Sequence, residues 1–409
     1  MSTHDLPSGR WRDVAHATGL LGDDGTPRAT IFAEMSALAA RTGAINLGQG
    51  FPDVDGPESV KRVAAEAIAA GANQYPPGPG IPELRAAVAS HQERHYGLHV
   101  DPDREVLITT GATEALAASI LALAGPGDEV LTLEPFYDSY AAVIALAGAR
   151  HTTVPLRATA DGFRLDPDEL DAAVTDRTRI ILVNTPHNPT GAVLTAEELR
   201  RVVAAAHRHD ALILTDEVYE HLVYDGLRHI PVATLPGAAE RTLTVSSAGK
   251  TFSFTGWKIG WLTGPAALVD AVRTVKQFLT FTTGAPFQPA IAHALALETL
   301  TDPDSGWIVG LTASLAARRD LLSAGLADAG FTVVPARGTY FVIADAAPLG
   351  VDDAAVFSRE LPERTGVVGV PVSAFTRTPG LLRSAVRFTY VKQETVLHEA
   401  VRRLAELRP

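Results

Sequence analysis

The chain has no cysteine. That absence excludes disulfides, thiolate zinc sites, iron–sulfur clusters and a cysteine nucleophile. Lysine is nearly missing too. Of 35 basic residues only five are lysine (Lys61, Lys250, Lys258, Lys276 and Lys392), leaving 35 − 5 = 30 arginines. Such a bias, with abundant alanine, is the mark of a GC-rich genome, and it makes each lysine a rare event to be weighed singly. Positive charge is in overall deficit, with 47 acidic residues and a formal net charge of −12. A nucleic-acid footprint needs clustered Lys and Arg, so no nucleic-acid partner is expected. Long apolar runs are also lacking. Segments such as 115–124 fall short of the ~18 residues that suggest a membrane span, so no membrane partner is expected. Residues 1–30 carry two short acidic patches and no basic-then-apolar pattern. No signal peptide is expected, and the protein reads as cytoplasmic.

What is present is an ordinary globular balance: 409 residues, 46% apolar and 20% charged. At roughly 100–200 residues per domain, this length suggests two or three domains. From about 105 to 265, short β-branched runs alternate with helical patterns, the signature of βαβ units and a parallel sheet. Strands are expected at 106–109, 129–133, 180–183, 212–215 and 243–245, with helices at 113–123 and 196–209. Beyond Trp307 the pattern changes to a long helix at 311–329, strands at 332–334, 340–343 and 386–390, and a closing helix. The expected class is α/β, with a mostly parallel central sheet in a large domain and a smaller α+β domain. The expected division is an N-terminal segment, 1–54, belonging to the small domain; a large domain, 55–290; and a small C-terminal domain, 291–409.

In an open parallel sheet, ligands bind beyond the carboxyl ends of the strands. Here those ends are rich in polar residues. After 106–109 comes Thr110-Gly111-Ala112-Thr113, a small-residue turn opening a helix, where backbone N–H groups and a hydroxyl suit a phosphate. The plainer alternative is that Gly111 ends a strand and Thr113 caps a helix. After 180–183 comes Asn184-Thr185-Pro186-His187-Asn188-Pro189-Thr190-Gly191, whose prolines stiffen the loop that presents Asn188. Asn-Pro is also common in plain turns. After 212–215 comes Asp216-Glu217-Val218-Tyr219, and an aspartate there is costly to bury without a partner. After 243–245, Lys250 and Lys258 lie eight residues apart among Phe252, Phe254, Trp257 and Trp261. Most lysines are solvated surface groups, and that suffices for Lys61, Lys276 and Lys392. A lysine among aromatics loses its charge more easily, as a Schiff-base nucleophile must.

Two imitations fall away. Gly249-Lys250-Thr251 ends like a nucleotide P-loop, but the glycine needed five residues before Gly249 is Thr244, inside a strand. His91 and His95, at i and i+4, could chelate a metal, but Gln92, Glu93 and Arg94 between them point to a solvated helix face, so no metal is expected. One chemistry explains the rest: a phosphate cradle, an aspartate for a ring nitrogen, Asn188 and Tyr219 for a ring hydroxyl, and a Schiff-base lysine. That set describes pyridoxal 5'-phosphate, whose pyridinium acts as an electron sink and needs an acidic partner on its nitrogen.

With these residues in place, the sequence resembles the class I aminotransferases of pyridoxal-phosphate fold type I, from about Ile31 to Leu407. The likeness is carried by the combination of Asn46-Leu47-Gly48-Gln49-Gly50-Phe51-Pro52-Asp53, Asn73-Gln74-Tyr75, Glu134-Pro135-Phe136-Tyr137, Asn188-Pro189-Thr190-Gly191, Asp216-Glu217-Val218-Tyr219, Ser247-Ala248-Gly249-Lys250 and Val386-Arg387-Phe388. The kynurenine/glutamine and methionine aminotransferase subgroup is similar in all of these. The actinobacterial N-succinyldiaminopimelate aminotransferases are similar even in Tyr75-Pro76-Pro77-Gly78-Pro79-Gly80 and Gly284-Ala285-Pro286-Phe287-Gln288-Pro289.

The resemblance implies a role for each matching residue. Lys250 carries the cofactor as a Schiff base and shuttles the substrate proton. Asp216 pairs with the pyridine nitrogen, while Asn188 and Tyr219 hold the ring oxygen. Tyr137 stacks on the ring. Gly111, Ala112, Thr113, Ser247 and Lys258 hold the phosphate, joined by Tyr75 from a second subunit of a homodimer with shared sites. Lys258 stands where aspartate aminotransferases carry arginine. Arg387 clamps the substrate α-carboxylate, with Gly50 and Asn188 against it. Ile31, and Phe281 from the neighbouring subunit, line the side-chain pocket. The residues alone leave Arg387 open to a plainer role in a surface salt bridge.

The implied activity is ping-pong transfer of an amino group between an L-amino acid, glutamate for this subgroup, and a 2-oxo acid. N-succinyl-2-amino-6-oxopimelate is the favoured acceptor, on a route to lysine and peptidoglycan. A broad-specificity methionine, glutamine or kynurenine aminotransferase is the runner-up. A β-eliminating lyase shares fold, cofactor and lysine, so those features do not separate it. A non-catalytic cofactor-binding regulator lacks the basic patch it needs.

Overall fold

The computed structural model describes residues 9–22 and 24–408; residues 1–8 of the expected N-terminal segment lie outside the described residues. In chain order the strands are β1 (Ile45–Asn46), β2 (Val106–Thr110), β3 (Glu129–Glu134), β4 (Arg150–Thr159), β5 (Gly162–Leu165), β6 (Thr178–Asn184) and β7 (Leu212–Asp216). Then follow β8 (Thr242–Ser247), β9 (Ile259–Thr263), β10 (Thr332–Val334), β11 (Phe341–Asp345), β12 (Val367–Val368), β13 (Val370–Pro371) and β14 (Ala385–Thr389).

Eight of these form one sheet in the order β2-β9-β8-β7-β6-β3-β4-β5. The run from β8 through β7, β6 and β3 to β4 is parallel, while β9 is antiparallel to both neighbours and β5 to β4. The central strands are apolar on both faces because both are covered. Along β6, Ile180 and Leu182 face one core and Ile181 and Val183 the other, the two-residue period of a strand. The first core packs under the helix Gly111–Leu123 through Ala115, Leu116 and Ile120. The second packs under the helix Ala196–Arg208, which buries Leu199, Val202, Val203 and Ala206 at i, i+3, i+4 and i+7. That helix starts where it does because Thr195 and Glu198 form a reciprocal capping box, Glu198 N donating to Thr195 Oγ1 (3.2 Å) and Thr195 N to Glu198 Oε2 (2.7 Å). Each buried Leu or Val on such a face contributes on the order of 1.5–3 kcal/mol.

A second, antiparallel sheet runs β10-β11-β14-β13. Leu315, Leu322 and Leu326 of the helix Trp307–Asp328, with Leu397 and Leu404 of Glu394–Leu404, pack on its Val342, Ala344, Val386 and Phe388. The short β1 pairs in parallel with β12, which ties the N-terminal part of the chain to the C-terminal part. The expected boundary at 290/291 falls inside the helix Phe287–Ala296, whose Ala290, Ile291 and Ala294 share a core with Val60, Leu84 and Val88.

The expected strands appear within a residue or two of their places. The helix expected at 113 begins at Gly111, and the one expected at 311 begins at Trp307. The strand β9 was not among the expected strands. Gly260 is nonetheless required there: a Cβ on it would lie 2.6 Å from the Gly111 carbonyl carbon.

Two lysines assigned to the surface are not there. Lys276 is 1% exposed and donates to Gly78 O (3.0 Å) and Phe281 O (2.8 Å); Lys392 is 8% exposed and donates to Phe51 O (3.1 Å). Backbone carbonyls replace water around both ammonium groups, which is what makes their burial tolerable. Lys61 remains partly exposed, pairing with Asp55 (2.9 Å) and Glu58 (2.7 Å). The solvated-face expectation for the histidine pair is also corrected. His91 is buried, with its Nε2 2.7 Å from His221 Nε2, because residues after Tyr219 cover that face of the helix Pro82–Tyr96.

Candidate active site

The carboxyl ends of β2, β6, β7 and β8 converge on one cavity. At the end of β2 the chain turns through Gly111 with φ +68°, and a Cβ there would meet Lys258 Cε and Nζ at 3.3 Å each. No side chain caps the helix Gly111–Leu123 at Thr110, so its first N–H groups are left open at the cavity wall. Across from them stand Ser247, whose Oγ accepts from Gly249 N (3.2 Å), and Lys258, itself at φ +55°. Burial lowers the Lys258 pKa, and Lys250 beside it adds to that; Glu114 works the other way. The result is a concave cluster of N–H, hydroxyl and ammonium donors.

At the end of β7, Asp216 is 5% exposed. Its Oδ2 accepts from Tyr140 O–H (2.7 Å) and its Oδ1 from Val218 N (3.4 Å). Burial pushes its pKa up to about 6, against the pull of those two donors and of Lys250. A carboxylate so enclosed is completed by a cationic N–H. The neighbouring loop is braced by Asn184, whose Oδ1 accepts from Asn188 N (2.7 Å) and whose Nδ2 donates to Asp216 O (2.8 Å). Tyr219 is buried, and burial with Tyr340 alongside raises its pKa well above the usual phenol range. Lys250 Nζ sits 6.0 Å from the Tyr219 ring centroid and 5.7 Å from that of Tyr340.

Opposite this group, β14 carries Arg387, which is 2% exposed. It donates from Nη1 to Asn188 Oδ1 (3.1 Å) and from Nη2 to Gly48 O (2.9 Å). Its Nε is buried without a hydrogen-bond partner. The guanidinium lies 4.2 Å from the Phe341 ring, 4.9 Å from Phe375 and 5.2 Å from Phe32. Burial pulls its pKa to about 10, so it stays charged at neutral pH. Among the described residues it makes no ion pair. A buried cation held by neutral partners is a receptor for an incoming carboxylate. The salt-bridge alternative for Arg387 is therefore set aside. Gly50 keeps this end open: a Cβ there would lie 2.3 Å from Phe341 Cζ, and Gly50 O accepts from Tyr340 O–H (2.6 Å).

The structure gathers Gly50, Gly111, Ala112, Thr113, Tyr137, Asn188, Asp216, Tyr219, Ser247, Lys250, Lys258 and Arg387 around this one cavity of about 350 Å³. Ile31 is not on its wall. It lines an adjoining cavity instead, which shares Tyr137 with the first. Tyr75 and Phe281 do not reach the cavity of their own chain; Tyr75 is 83% exposed, and the two rings meet edge-on at 5.4 Å. Sequence reasoning missed Phe32, Gln49, Phe51, Asn184 and Phe341 on the wall, and Tyr140 behind Asp216. Asn184 carried a usable signal, being the first polar residue after an apolar strand. So did Gln49 and Phe51, inside a motif already singled out.

A family model for "Aminotransferase class I and II" matches residues 42–404. The chain belongs to this family. It is 53% identical over 386 residues to a Mycobacterium tuberculosis protein described as "Probable N-succinyldiaminopimelate aminotransferase DapC", covering 92% of this chain and 96% of that one. The solved structure of N-succinyldiaminopimelate aminotransferase from Mycobacterium tuberculosis superposes with a TM-score of 0.91 at 52% identity, covering 98% and 100% of the two chains. A methionine aminotransferase of Escherichia coli is 39% identical over 92% of this chain and 96% of its own. The protein is thus an aminotransferase of fold type I, acting on amino acids and 2-oxo acids, and its class generally uses pyridoxal phosphate. No helix among the described residues is long and apolar enough to cross a membrane.

Proposed function

We propose that this aminotransferase moves the amino group of L-glutamate to N-succinyl-2-amino-6-oxopimelate, with pyridoxal phosphate held in the 350 Å³ cavity. The observation that carries the substrate is the adjoining cavity of about 830 Å³ beyond Tyr137, whose wall holds three arginines, Arg28, Arg359 and Arg377, against two carboxylates, Glu34 and Asp138. A methionine or kynurenine side chain has no use for a cationic groove, whereas an acyl chain ending in a carboxylate does. Arg359 is engaged by Glu34 through two hydrogen bonds (2.6 and 3.1 Å). Arg377 is exposed, its Nη1 making a long 3.4 Å contact to His151 O, and is the arm we assign to the distal carboxylate.

The residues fit the cofactor. An uncapped helix N-terminus with Ser247 and Lys258 suits its phosphate, and Asp216, enclosed apart from two donors, suits a pyridinium nitrogen. When bound, pyridoxal phosphate supplies the electron sink that stabilises negative charge at the substrate α-carbon. Gly111, Ala112 and Thr113 present the cradle, and Tyr137 covers the ring. Asn188 and Tyr219 orient the ring oxygen. Lys250 is the attachment point; its Nζ takes the α-proton and returns it. Arg387 Nη1 and Nη2 fix the α-carboxylate, with Gly50 and Asn188 closing that end. Ile31 borders the route to the groove.

Tyr75 and Phe281, exposed on one chain, are assigned to the neighbouring site of a homodimer, where Tyr75 completes the phosphate cradle. We place the enzyme in the cytoplasm, and propose a large unit of 55–290 and a small one formed from 1–54 and 291–409, with the helix Phe287–Ala296 running across the boundary.

A donor–acceptor panel tests the substrate. Glutamate with the succinylated acceptor should give the highest kcat/KM, and Arg377→Met should raise KM for that acceptor about five- to tenfold. KM for the 2-oxo acid of methionine should not move. Equal effects on both acceptors, or preference for the methionine pair, would replace this reading with the broad-specificity one. Glutamate alone should convert the bound cofactor to its pyridoxamine form, without release of ammonia. A β-eliminating lyase would instead release ammonia and pyruvate from a sulfur amino acid.

A further inference from the structure

The function above uses none of three histidines packed together elsewhere in the molecule. His91 and His95 are one turn apart on the helix Pro82–Tyr96, with ring centroids 4.6 Å apart. His221, two residues beyond Tyr219, brings a third ring to 5.0 Å from the first and 4.8 Å from the second. One ring nitrogen of each lies within 4.8 Å of the others. A carboxylate stands beside them, Glu298 Oε2 being 3.0 Å from His95 Nε2. His91, His95 and Glu298 also border a small cavity walled by Phe252, Leu297 and Trp307.

We propose that His91, His95, His221 and Glu298 bind one divalent transition ion, with Zn²⁺ the best match. Three imidazoles and one carboxylate are the borderline nitrogen and oxygen donors that such ions select, and four ligands complete a tetrahedron. Two histidines at i and i+4 already share a helix face. At metal–nitrogen distances of about 2.0–2.1 Å, tetrahedral nitrogens stand about 3.3 Å apart. The His91 and His221 Nε2 atoms, now at 2.7 Å, bracket that spacing from below, and the 4.8 Å limit of the group brackets it from above. Between two facing Nε2 atoms only one proton fits, so one imidazole already presents a lone pair.

The charges around the site are mixed. Arg94 Nε is 3.8 Å from the same Glu298 oxygen, and its Nη2 donates to Leu295 O (2.6 Å), so an ion competes with a long contact whose donor stays anchored. On the far side, His229 is paired with buried Glu217 (2.8 Å), and Glu220, whose pKa burial pushes up to about 7, accepts from the Ser246 hydroxyl. Burial, with the neighbouring histidines and Arg94, keeps His91 and His221 neutral, the form in which an imidazole binds a metal. None of the four ligands lines the cofactor cavity. An ion here staples the helix Pro82–Tyr96 to the segment that follows the Asp216–Tyr219 stretch.

The test uses tag-free holoenzyme, stripped with a chelator that leaves the cofactor bound, and titrated with Zn²⁺ alone by calorimetry. The expected result is one Zn²⁺ per chain, confirmed by elemental analysis, and a higher Tm with metal. Co²⁺ should give the intense visible bands of a tetrahedral site. His95→Gln, at a position whose side chain is 21% exposed and where the fold should tolerate it, and Glu298→Gln should each weaken Zn²⁺ binding about tenfold or more, with cofactor content unchanged. Absence of stoichiometric binding to the wild type would overturn the proposal, leaving a hydrogen-bonded packing cluster. So would a His95→Gln variant that is folded and binds Zn²⁺ as the wild type does.

Discussion

Asp216→Asn in the cofactor-free protein isolates the electrostatic cost of the candidate site. Burial raises the Asp216 pKa from the ordinary 3.8 to about 6. The folded chain therefore holds this proton more tightly than the unfolded chain does. Folding stability from this group is fully present below pH ~3.8 and is lost as pH rises through about 6. At 1.36 kcal/mol per pH unit, the loss between those limits is about 3 kcal/mol, an order-of-magnitude figure for a fully enclosed group. Asparagine keeps the shape and can still accept from Tyr140, but it has no charge to desolvate. The assay is urea unfolding of both apo proteins at intervals from pH 4 to pH 7.5. Other titrating groups, Glu220 among them, contribute to both proteins and cancel in the difference to first order. Stability of the wild type relative to the variant should fall by up to about 3 kcal/mol across that window. With pyridoxal phosphate bound the order should reverse at neutral pH, since the pyridinium then pairs with the wild-type carboxylate alone. A wild-type/variant difference that is flat with pH, or that rises, would show that Asp216 is not held in an unpaired, desolvated state.

Three further outcomes follow from the same geometry. Lys250→Ala should keep the cofactor non-covalently, lose its borohydride-trappable linkage and lose nearly all turnover; substantial residual kcat would remove Lys250 from the chemistry. Arg387→Lys should weaken amino-acid binding by about 2–4 kcal/mol, because an ammonium cannot reproduce two parallel N–H donors, and a KM within twofold of the wild type would contradict the clamp. Gly50→Ala should cost about 1–3 kcal/mol of stability or displace the Phe341 ring, since its Cβ would sit 2.3 Å from Phe341 Cζ. A thermal midpoint and substrate affinity equal to wild type would show that this end of the site yields freely.

The legible part of the molecule was the part where local sequence and tertiary role agree. Strands β2, β3, β6, β7 and β8 are buried on both faces and read as short, mostly apolar runs, and at the ends of β6, β7 and β8 the first polar residues and the turn just beyond them (Asn184 and Asn188, Asp216, Ser247 and Lys250) face the cavity. That coincidence is why Asp216, Asn188 and Lys250 could be found from spacing. It fails wherever a role depends on what packs on top. Lys276 and Lys392 looked like surface lysines because their burial depends on distant partners: Gly78 O lies 198 positions from Lys276 and Phe51 O 341 positions from Lys392, with only Phe281 O, five residues from Lys276, close in sequence. His91 and His95 sat in a polar stretch, and only the arrival of His221, 130 positions along the chain from His91, turns a solvated face into a buried cluster. The Arg28, Arg359 and Arg377 groove was hidden for a third reason: thirty arginines made no single one conspicuous, while five lysines made each one so. Composition thus set what could be seen. The rare cation drew attention to the candidate site, and the common one concealed the groove to which we assign substrate choice.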